Sequence, residues 1–439
     1  MRLCLVEDSA VADVGPLADT RPVFDLLLGS RTLGDRAARA FRLGPWGQPG
    51  GRAVVVRPHL EPLQRAGRPH AVVNDPRRMS SGPVLVVNGR WVPAGGPPVT
   101  PDRTGWVGLC EGRPACAVVG PGETAGLEPG RVDAWFEAVA ARSPARDVGG
   151  WWVRRPWDLV ARNAEHIARD FDEAGASGGA PEGVAVVGPA DRLAVHPSAF
   201  VEPFCTFDTA SGPITVAAGA VVQSFTRVEG PCYVGPGTRL YRAHLRGGVT
   251  LGPGCRVGGE VEATIVQGHT NKYHEGFLGH SYVGEWVNLG ALTSSSDLRN
   301  DYGEVAVPIG GDPVPTGQAK VGCFIGDFTR TGMGCLLNTG TVAGVMCSLL
   351  PAGPLLPKHV PSFAAVLFGR VAPNVSLDRL FETARVVKGR RGQTFTEVEE
   401  RLFLDLFEQT RLERARAFQA QAARNERHPA PAVGVAAER

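Results

Sequence analysis

Lysine is almost missing from this chain. Lys272, Lys320, Lys358 and Lys388 are the four lysines among 46 basic residues. Chemistry in residues 1–271 that needs a basic group therefore falls to arginine or histidine. An excess of either charge is missing too, with Lys+Arg 46 against Asp+Glu 44. That balance argues against a dedicated nucleic-acid binder, which concentrates basic residues on one face. No run reaches the ~18 apolar residues that a membrane-crossing helix needs. The opening MRLCLVEDSAVADVG has early acidic residues and no long apolar core, so it does not read as a secretory signal. The nine cysteines (4, 110, 116, 205, 232, 255, 323, 335 and 347) form no CxxC pair. They read as buried reduced thiols of a cytoplasmic protein, and their spacing does not suit zinc.

What is present is glycine (57) and proline (36), too much for a helical bundle and suited to many tight turns. The 439 residues allow about two to four domains. Residues 1–150 mix short apolar runs with helical ones, which points to an α/β layer. Met1–Val6, Ala53–Val56, Ala71–Val73 and Val84–Val87 read as strands, and Asn88-Gly89 as a turn. Val23–Phe41 reads as a helix or helix-like segment, with Phe24, Leu27, Leu28, Ala37, Ala40 and Phe41 as its apolar positions. Residues 151–183 read as a second helix, entered at Pro156 and running to Phe171, followed by a Gly/Ala/Ser-rich linker.

From residue 184 to 365 the sequence repeats. Val216, Val222, Val228, Val234 and Leu240 fall at a period of six. So do Leu245, Leu251, Val257 and Ala263; Phe277, Val283 and Leu289; and Ile325, Thr331, Leu337, Ala343 and Leu349. A six-residue period fits neither a helix nor a plain strand. It fits a solenoid with three hexapeptide sides per coil, each aliphatic residue pointing inward. About eighteen residues then make one coil, giving roughly eight to nine coils over 184–349. Two breaks, 267–276 and 293–317, read as projecting loops, which are natural places for function. Residues 366–424 read as a helical extension, with a capping box at Thr396 and Glu399 opening one helix that runs to about Arg424. Val398, Leu402 and Leu406 form its docking stripe, and Arg411, Arg414, Arg416 and Arg424 a solvated face. Residues 425–439 read as a mobile tail.

The segment 271–303, NKYHEGFLGHSYVGEWVNLGALTSSSDLRNDYG, resembles the acetyltransferase half of the bifunctional enzyme that makes UDP-N-acetylglucosamine. The matching pieces are His274, Phe277-Leu278-Gly279-His280, Val283-Gly284, Asn288-Leu289-Gly290-Ala291 and Asn300-Asp301-Tyr302-Gly303. His244-Leu245-Arg246-Gly247-Gly248 resembles that family's R-L-R-P-G segment. Thr20-Arg21-Pro22-Val23, Val87-Asn88-Gly89-Arg90 and Pro156-Trp157-Asp158-Leu159 look like sugar nucleotidyltransferases. The resemblance implies an α/β nucleotidyltransferase-like domain, a left-handed parallel β-helix of hexapeptide repeats, C-terminal helices and a homotrimer. It implies acetyl-CoA as co-substrate and a sugar phosphate or nucleotide sugar as acceptor.

An amine that attacks acetyl-CoA must be neutral, and histidine is the natural base near neutral pH. By the resemblance His274 is that base, and Arg246 holds the phosphate by charge-assisted hydrogen bonds. Lys272, Phe277, Asn288, Asn300 and Tyr302 bind the acceptor, and Ala291 lines the coenzyme groove. Asn288 reads equally as part of an asparagine ladder. This chain departs from the family pattern at several places. Phe277 stands for a tyrosine, His280 for an aspartate, Leu292 for a glycine and Asp297 for an asparagine. Lys272 lies one residue off the family's lysine.

The N-terminal domain departs further. The stretch VEDSAVADVGPLADTRP after the first strand lacks the glycine cluster that cradles a triphosphate. Arg21 remains as a nucleotide ligand, and Asp8, Asp19 and Asp75 as candidates for Mg²⁺, needed only if this domain is active. The reading is acyl transfer to an amino-sugar. Nucleotidyl transfer to a sugar-1-phosphate and non-catalytic sugar-nucleotide binding are the alternatives.

Overall fold

The computed structural model describes residues 1–44, 51–79, 82–94, 104–175, 179–351 and 353–427. The first domain is built on a seven-stranded sheet. Its spatial order is Ala145–Asp147, Trp106–Cys110, Arg113–Val119, Val84–Asn88, Arg2–Val6, Arg52–Val55 and Val72–Val73. The Arg2–Val6 strand pairs in parallel with both neighbours, and Arg113–Val119 runs antiparallel. Its residues Leu3, Cys4 and Leu5 are fully buried, as a central strand covered on both faces requires.

Val23–Phe41 is not one helix. A 3-10 turn at Val23–Asp25 leads into a hairpin, Leu27–Leu28 with Arg31–Thr32, and then a helix, Leu33–Ala40. Gly29 has φ +62, and a Cβ there would meet Asp170, Arg36 and the backbone of His166 within 3 Å. The turn needs glycine, and Thr32 restarts the chain as an N-cap, accepting from the Asp35 backbone N–H.

The linking helix spans Pro156–Ala174, with proline in its first turn. Its buried Asn163 joins both sides. The amide oxygen accepts from the Gly29 N–H at 2.8 Å, and the amide nitrogen donates to the Gly248 carbonyl at 2.8 Å.

The repeat region is a parallel β-helix. One face is a nine-stranded sheet from Leu193–Val195 to His359–Val360, so the prism has nine rungs on that side. Of the expected inward residues, Val216 through Leu240, Leu245, Leu251, Val257, Val283, Leu289, Ile325, Thr331, Leu337, Ala343 and Leu349 are buried. Ala263 and Phe277 are not the inward residues; Val261 and Leu278 are. The reason is a short coil. Arg256 pairs with Asn271, and a register shift lies between Tyr241 and Ala243, so the six-residue phase slips.

The first break is not a projecting loop, whereas the second leaves the coil, because Tyr282 and Phe324 pair as successive rungs across it. In the first, Asn271–Lys272 is a rung paired with Arg256–Val257. In the second, Ala306–Ile309 and Asp312–Pro315 form an antiparallel hairpin. Its Val305 and Val307 bury against a cluster that holds Leu26, Trp157, Tyr282 and Phe324.

The C-terminal region holds three helices, Leu377–Gly389, Glu397–Gln409 and Arg411–Arg427. The Thr396–Glu399 capping box is formed in both directions. The expected single helix breaks at Thr410, whose hydroxyl donates back to the Leu406 carbonyl at 2.7 Å. Leu402 and Leu406 are buried and Val398 half-buried, with Phe403 added to the stripe. This stripe packs on one edge of the prism. There Trp286, Phe328, Met346 and Phe363 take positive φ and turn their side chains outward. Arg414 is not solvated: its guanidinium lies 3.8 Å from the Phe407 ring. The expected tail from Asn425 begins within the last helix, and its remainder lies outside the described residues. All nine cysteines are reduced and buried. Among the described residues no helix is long and apolar enough to cross a membrane.

Candidate active site

In open α/β sheets, ligands bind outside the carboxyl ends of the strands where the strand order reverses. In the first domain that point lies between Arg2–Val6 and Val84–Asn88. It is closed by the chain's own groups. Arg90 Nε donates to Asp8 Oδ1 at 2.6 Å, Asn88 donates to Asp8 Oδ2 at 2.8 Å, and all three residues are buried. Beside them, Arg57 ion-pairs with the buried Glu7, which also accepts from the Val23 N–H.

Arg21, expected at a nucleotide, instead reaches across to the β-helix. It ion-pairs with Asp327, and with Glu285 at 3.4 Å, while Thr20 donates to Asp327 at 2.7 Å. The three Mg²⁺ candidates are separately occupied. Asp8 is paired, Asp75 accepts from the Arg78 N–H, and burial lifts the Asp19 carboxyl to about 6. Among the described residues no three His, Cys, Asp or Glu side chains are grouped to hold a metal ion, and the Asp8 carboxylate is already taken by Arg90 and Asn88.

The β-helix gathers the other candidates unevenly. His274 is exposed; its ring packs edge-on against Tyr273, and its carbonyl accepts from Lys272. Lys272 is buried, its ammonium donating to the Gly258 carbonyl at 2.8 Å and the His274 carbonyl at 3.1 Å. Asn288 belongs to an asparagine ladder, accepting from Asn271 at 3.2 Å. Arg246 is held by Glu262 at 3.1 Å and Glu260 at 3.4 Å. Asn300 and Tyr302 sit on an exposed turn, where Asn300 lines a shallow pocket with Asn338 and Lys358. Ala291 lies among Gly290, Gly332 and Gly334, and its carbonyl accepts from the Gly334 N–H. These small residues fit the approach of an extended coenzyme arm.

Three departures from the family pattern meet in space. His280 Nδ1 lies 2.7 Å from Asp297 Oδ2. A Cβ on Gly279 would sit 2.4 Å from the Phe277 ring and 2.6 Å from Asp297 Oδ2. Glycine therefore makes room for both groups beside the histidine. Burial alone would raise the Asp297 carboxyl, but the hydrogen bond and charge of His280 and the charge of Lys320 hold it below the usual carboxylate range. Lys320 also faces Glu262 at 3.6 Å. A carboxylate on Nδ1 orients the imidazole and leaves Nε2 free, the arrangement of a base with its orienting partner.

Residues 3–177 match the model of the family described as "Sugar nucleotidyl transferase". The match covers the first domain and the linking helix. A bifunctional sugar-1-phosphate nucleotidylyltransferase/acetyltransferase of Sulfurisphaera tokodaii is 33% identical over 92 residues, 21% of this chain and 23% of that one. The bifunctional protein GlmU of Synechococcus elongatus is 30% identical over 127 residues, 28% of this chain and 24% of that one. The GlmU of Jannaschia sp. is 31% identical over 143 residues, 30% of each chain. The aligned segments thus span less than a third of each of these relatives. A solved UDP-N-acetylglucosamine acyltransferase of Francisella novicida aligns with 56% of this chain and 89% of its own. It does so at 10% identity and a TM-score of 0.29.

Lys272 separates a structural from a functional role. Burial lowers its ammonium to about 8, from an ordinary value near 10.5. With the folded value depressed, the unfolded chain binds more protons between those limits, so the lysine's contribution to stability rises with pH there. The stability of wild type relative to Lys272→Met is expected to rise by about 2 kcal/mol between pH 7.5 and 9.5. Denaturant unfolding at the two pH values measures this. An unchanged difference would place the ammonium in contact with water.

Proposed function

We propose that this protein is a transferase that moves an acyl group from acetyl-CoA to the amino group of a phosphorylated or nucleotide amino-sugar. The observation that carries the reading is the His280–Asp297 pair on the β-helix, flanked by Arg246 and Lys320. The acceptor nitrogen attacks the thioester carbonyl, and His280 Nε2 takes the proton that the nitrogen loses. The C–S bond breaks, and the coenzyme leaves as a thiolate that is then protonated. Asp297 holds the imidazole tautomer through Nδ1. Binding of the acceptor's phosphate draws Lys320 and Arg246 away from Glu262, which both face in its absence. His274 is the base that the family resemblance implies, and it is weighed against His280 in the same assay.

The active form is proposed to be a homotrimer. One edge of the prism exposes apolar side chains that water does not favour. Phe204 and Phe225 are 70% and 72% exposed and stacked 6.0 Å apart, and Leu292 is 61% exposed. A second copy of this chain would cover them. The family match and the bifunctional relatives support nucleotidyl transfer by the first domain as the second reading. The closed crevice at Asp8 and Arg90 speaks against it.

Thiol release from acetyl-CoA in the presence of glucosamine-1-phosphate tests the reading. Turnover that requires both substrates is expected. Hydrolysis at the same rate without the amino-sugar would reject acyl transfer to that amine.

A further inference from the structure

A cleft of about 780 Å³ opens between the last helix, Arg411–Arg427, the hairpin of residues 306–315 and the prism strand His359–Val360. Its walls hold neither His280 nor Ala291, and the last helix lies outside residues 3–177 of the family match. The helix turns Arg416, Ala420 and Arg424 toward the cleft, one every four residues, with Ala417 and Gln421 beside them. The two alanines are too short to reach the hairpin, so the space stays open. The hairpin turns at Gly310 and Gly311, and a Cβ on Gly311 would sit 3.5 Å from His359 Nδ1. The helix is held in place around the cleft. Gln421 Oε1 accepts from the Val371 N–H at 3.3 Å, and His359 Nε2 lies 2.9 Å from Glu413 Oε1.

The cleft gathers cations that nothing neutralises. Arg416 and Arg424 are exposed and have no carboxylate partner among the described residues. Lys358, half-buried on the prism side, meets only the Ala306 carbonyl at 3.5 Å and the Thr339 hydroxyl at 3.4 Å. Burial and the charge of Arg299 lower its ammonium. Lys358 and Arg416 flank the His359–Glu413 contact, one as the chain neighbour of His359 and the other a turn along the helix from Glu413. Of the two acidic residues in the walls, Glu413 is taken by His359, and Asp312 has no ion-pair partner among the described residues.

These walls select a ligand class. A phosphomonoester brings a charge of about −2 at neutral pH, which suits such a set of cations better than a single carboxylate does. The volume is that of a small-molecule site, so an organic body accompanies the phosphate. No Phe, Tyr or Trp lines the cleft, so a nucleobase has no aromatic platform to stack on. The free Asp312 carboxylate is an acceptor for hydroxyl groups.

We infer that this cleft binds a small hydroxylated phosphomonoester, a phosphorylated sugar or polyol without a base. Its phosphate lies on Lys358 and Arg416, with Arg424 at the outer end, and its hydroxyls face Asp312. Behind the His359–Glu413 contact lies a smaller cavity of about 210 Å³, where Asp19, Arg57 and His59 of the first domain face the same pair. The cleft is thus one side-chain pair away from the junction of the first domain with the prism. An occupant that fixes the last helix stabilises that junction by linkage. The inference concerns binding and stands whether or not the prism transfers an acyl group.

Calorimetric titration of the full chain with glucose-6-phosphate, glycerol-3-phosphate, inorganic phosphate and uridine monophosphate tests it. At least one of the first two should bind tenfold or more tighter than inorganic phosphate, and the melting temperature should rise with its concentration. Uridine monophosphate should bind no tighter than inorganic phosphate. Arg416→Gln/Arg424→Gln changes two exposed side chains and should weaken the organic phosphate at least tenfold, with the ligand-free melting temperature unchanged. Ala420→Phe, which narrows the cleft and leaves its charge intact, should weaken it as well. No binding of either organic phosphate, or wild-type affinity in Arg416→Gln/Arg424→Gln, would overturn the inference. So would binding that survives in that variant and disappears in Arg246→Gln/Lys320→Gln, which places the phosphate at the histidine pair.

Discussion

Alanine at position 280 is expected to lower acetyl transfer at least ~100-fold with the fold intact, the usual effect of removing a general base. His280 is partly exposed and carries no core packing, so its loss removes the hydrogen bond to Asp297 without opening the core. Its value to the reaction comes from Asp297, 2.7 Å from Nδ1. Asp297→Asn keeps the shape but replaces the carboxylate acceptor with a group that can also donate. It should lower kcat while leaving KM near wild type, because a tautomer is lost rather than a contact with substrate. His274 lacks a partner for its ring nitrogens among the described residues. His274→Ala should therefore lose less than ~10-fold, well short of a base's contribution. Steady-state rates of the three variants decide between the histidines. A full loss in His274→Ala with near-normal rates in His280→Ala would restore His274 as the base.

The second large effect is on stability. Arg21→Ala should destabilise the protein by about 3–5 kcal/mol, because it strands buried carboxylates without their cation. Asp327 and Arg21 have side chains only 6% and 10% exposed, and Glu285 shares the same guanidinium. Asp327 also accepts from Thr20 and from the Glu285 N–H, so it cannot turn away to water. Arg21→Ala/Asp327→Ala, which removes both charges, should recover part of the loss. Equilibrium denaturation of the single and double variants measures the coupling. A loss below ~1 kcal/mol in the single variant would mean that the pair is solvated and free to serve a nucleotide.

The β-helix was legible in the sequence because each inward position carries one aliphatic residue at a fixed period. The phase failed only where coil length changed. Ala263 and Phe277 sit six residues from real core positions, but the short coil from Arg256 to Asn271 hands their places to Val261 and Leu278. The helix expected over Val23–Phe41 failed for another reason. Leu27 and Leu28 pack with Leu159 and Val160 of the linking helix from a hairpin, while Phe24 and Phe41 pack into the first domain's core, and the signal for that was Gly29-Ser30 followed by the Thr32 cap. The two readings of Asn288 were open in the sequence, and the coil stack makes it a ladder with Asn271.

The histidine pair was readable in principle. His280 and Asp297 are separated by 17 residues, close to one coil, and each replaces a family residue of different chemistry. Two exchanges one coil apart on a solenoid are neighbours in space. Arg21 and Arg416 were not readable in this way, since each depends on how a separate unit docks against the prism.

The most direct test follows both chemistries in one sample. The full chain is mixed with acetyl-CoA, glucosamine-1-phosphate and Mg²⁺-UTP, and free thiol and pyrophosphate are measured together. The account predicts thiol release that depends on the amino-sugar and on His280, with no pyrophosphate beyond background. Pyrophosphate release without thiol would contradict it and place the chemistry in the first domain.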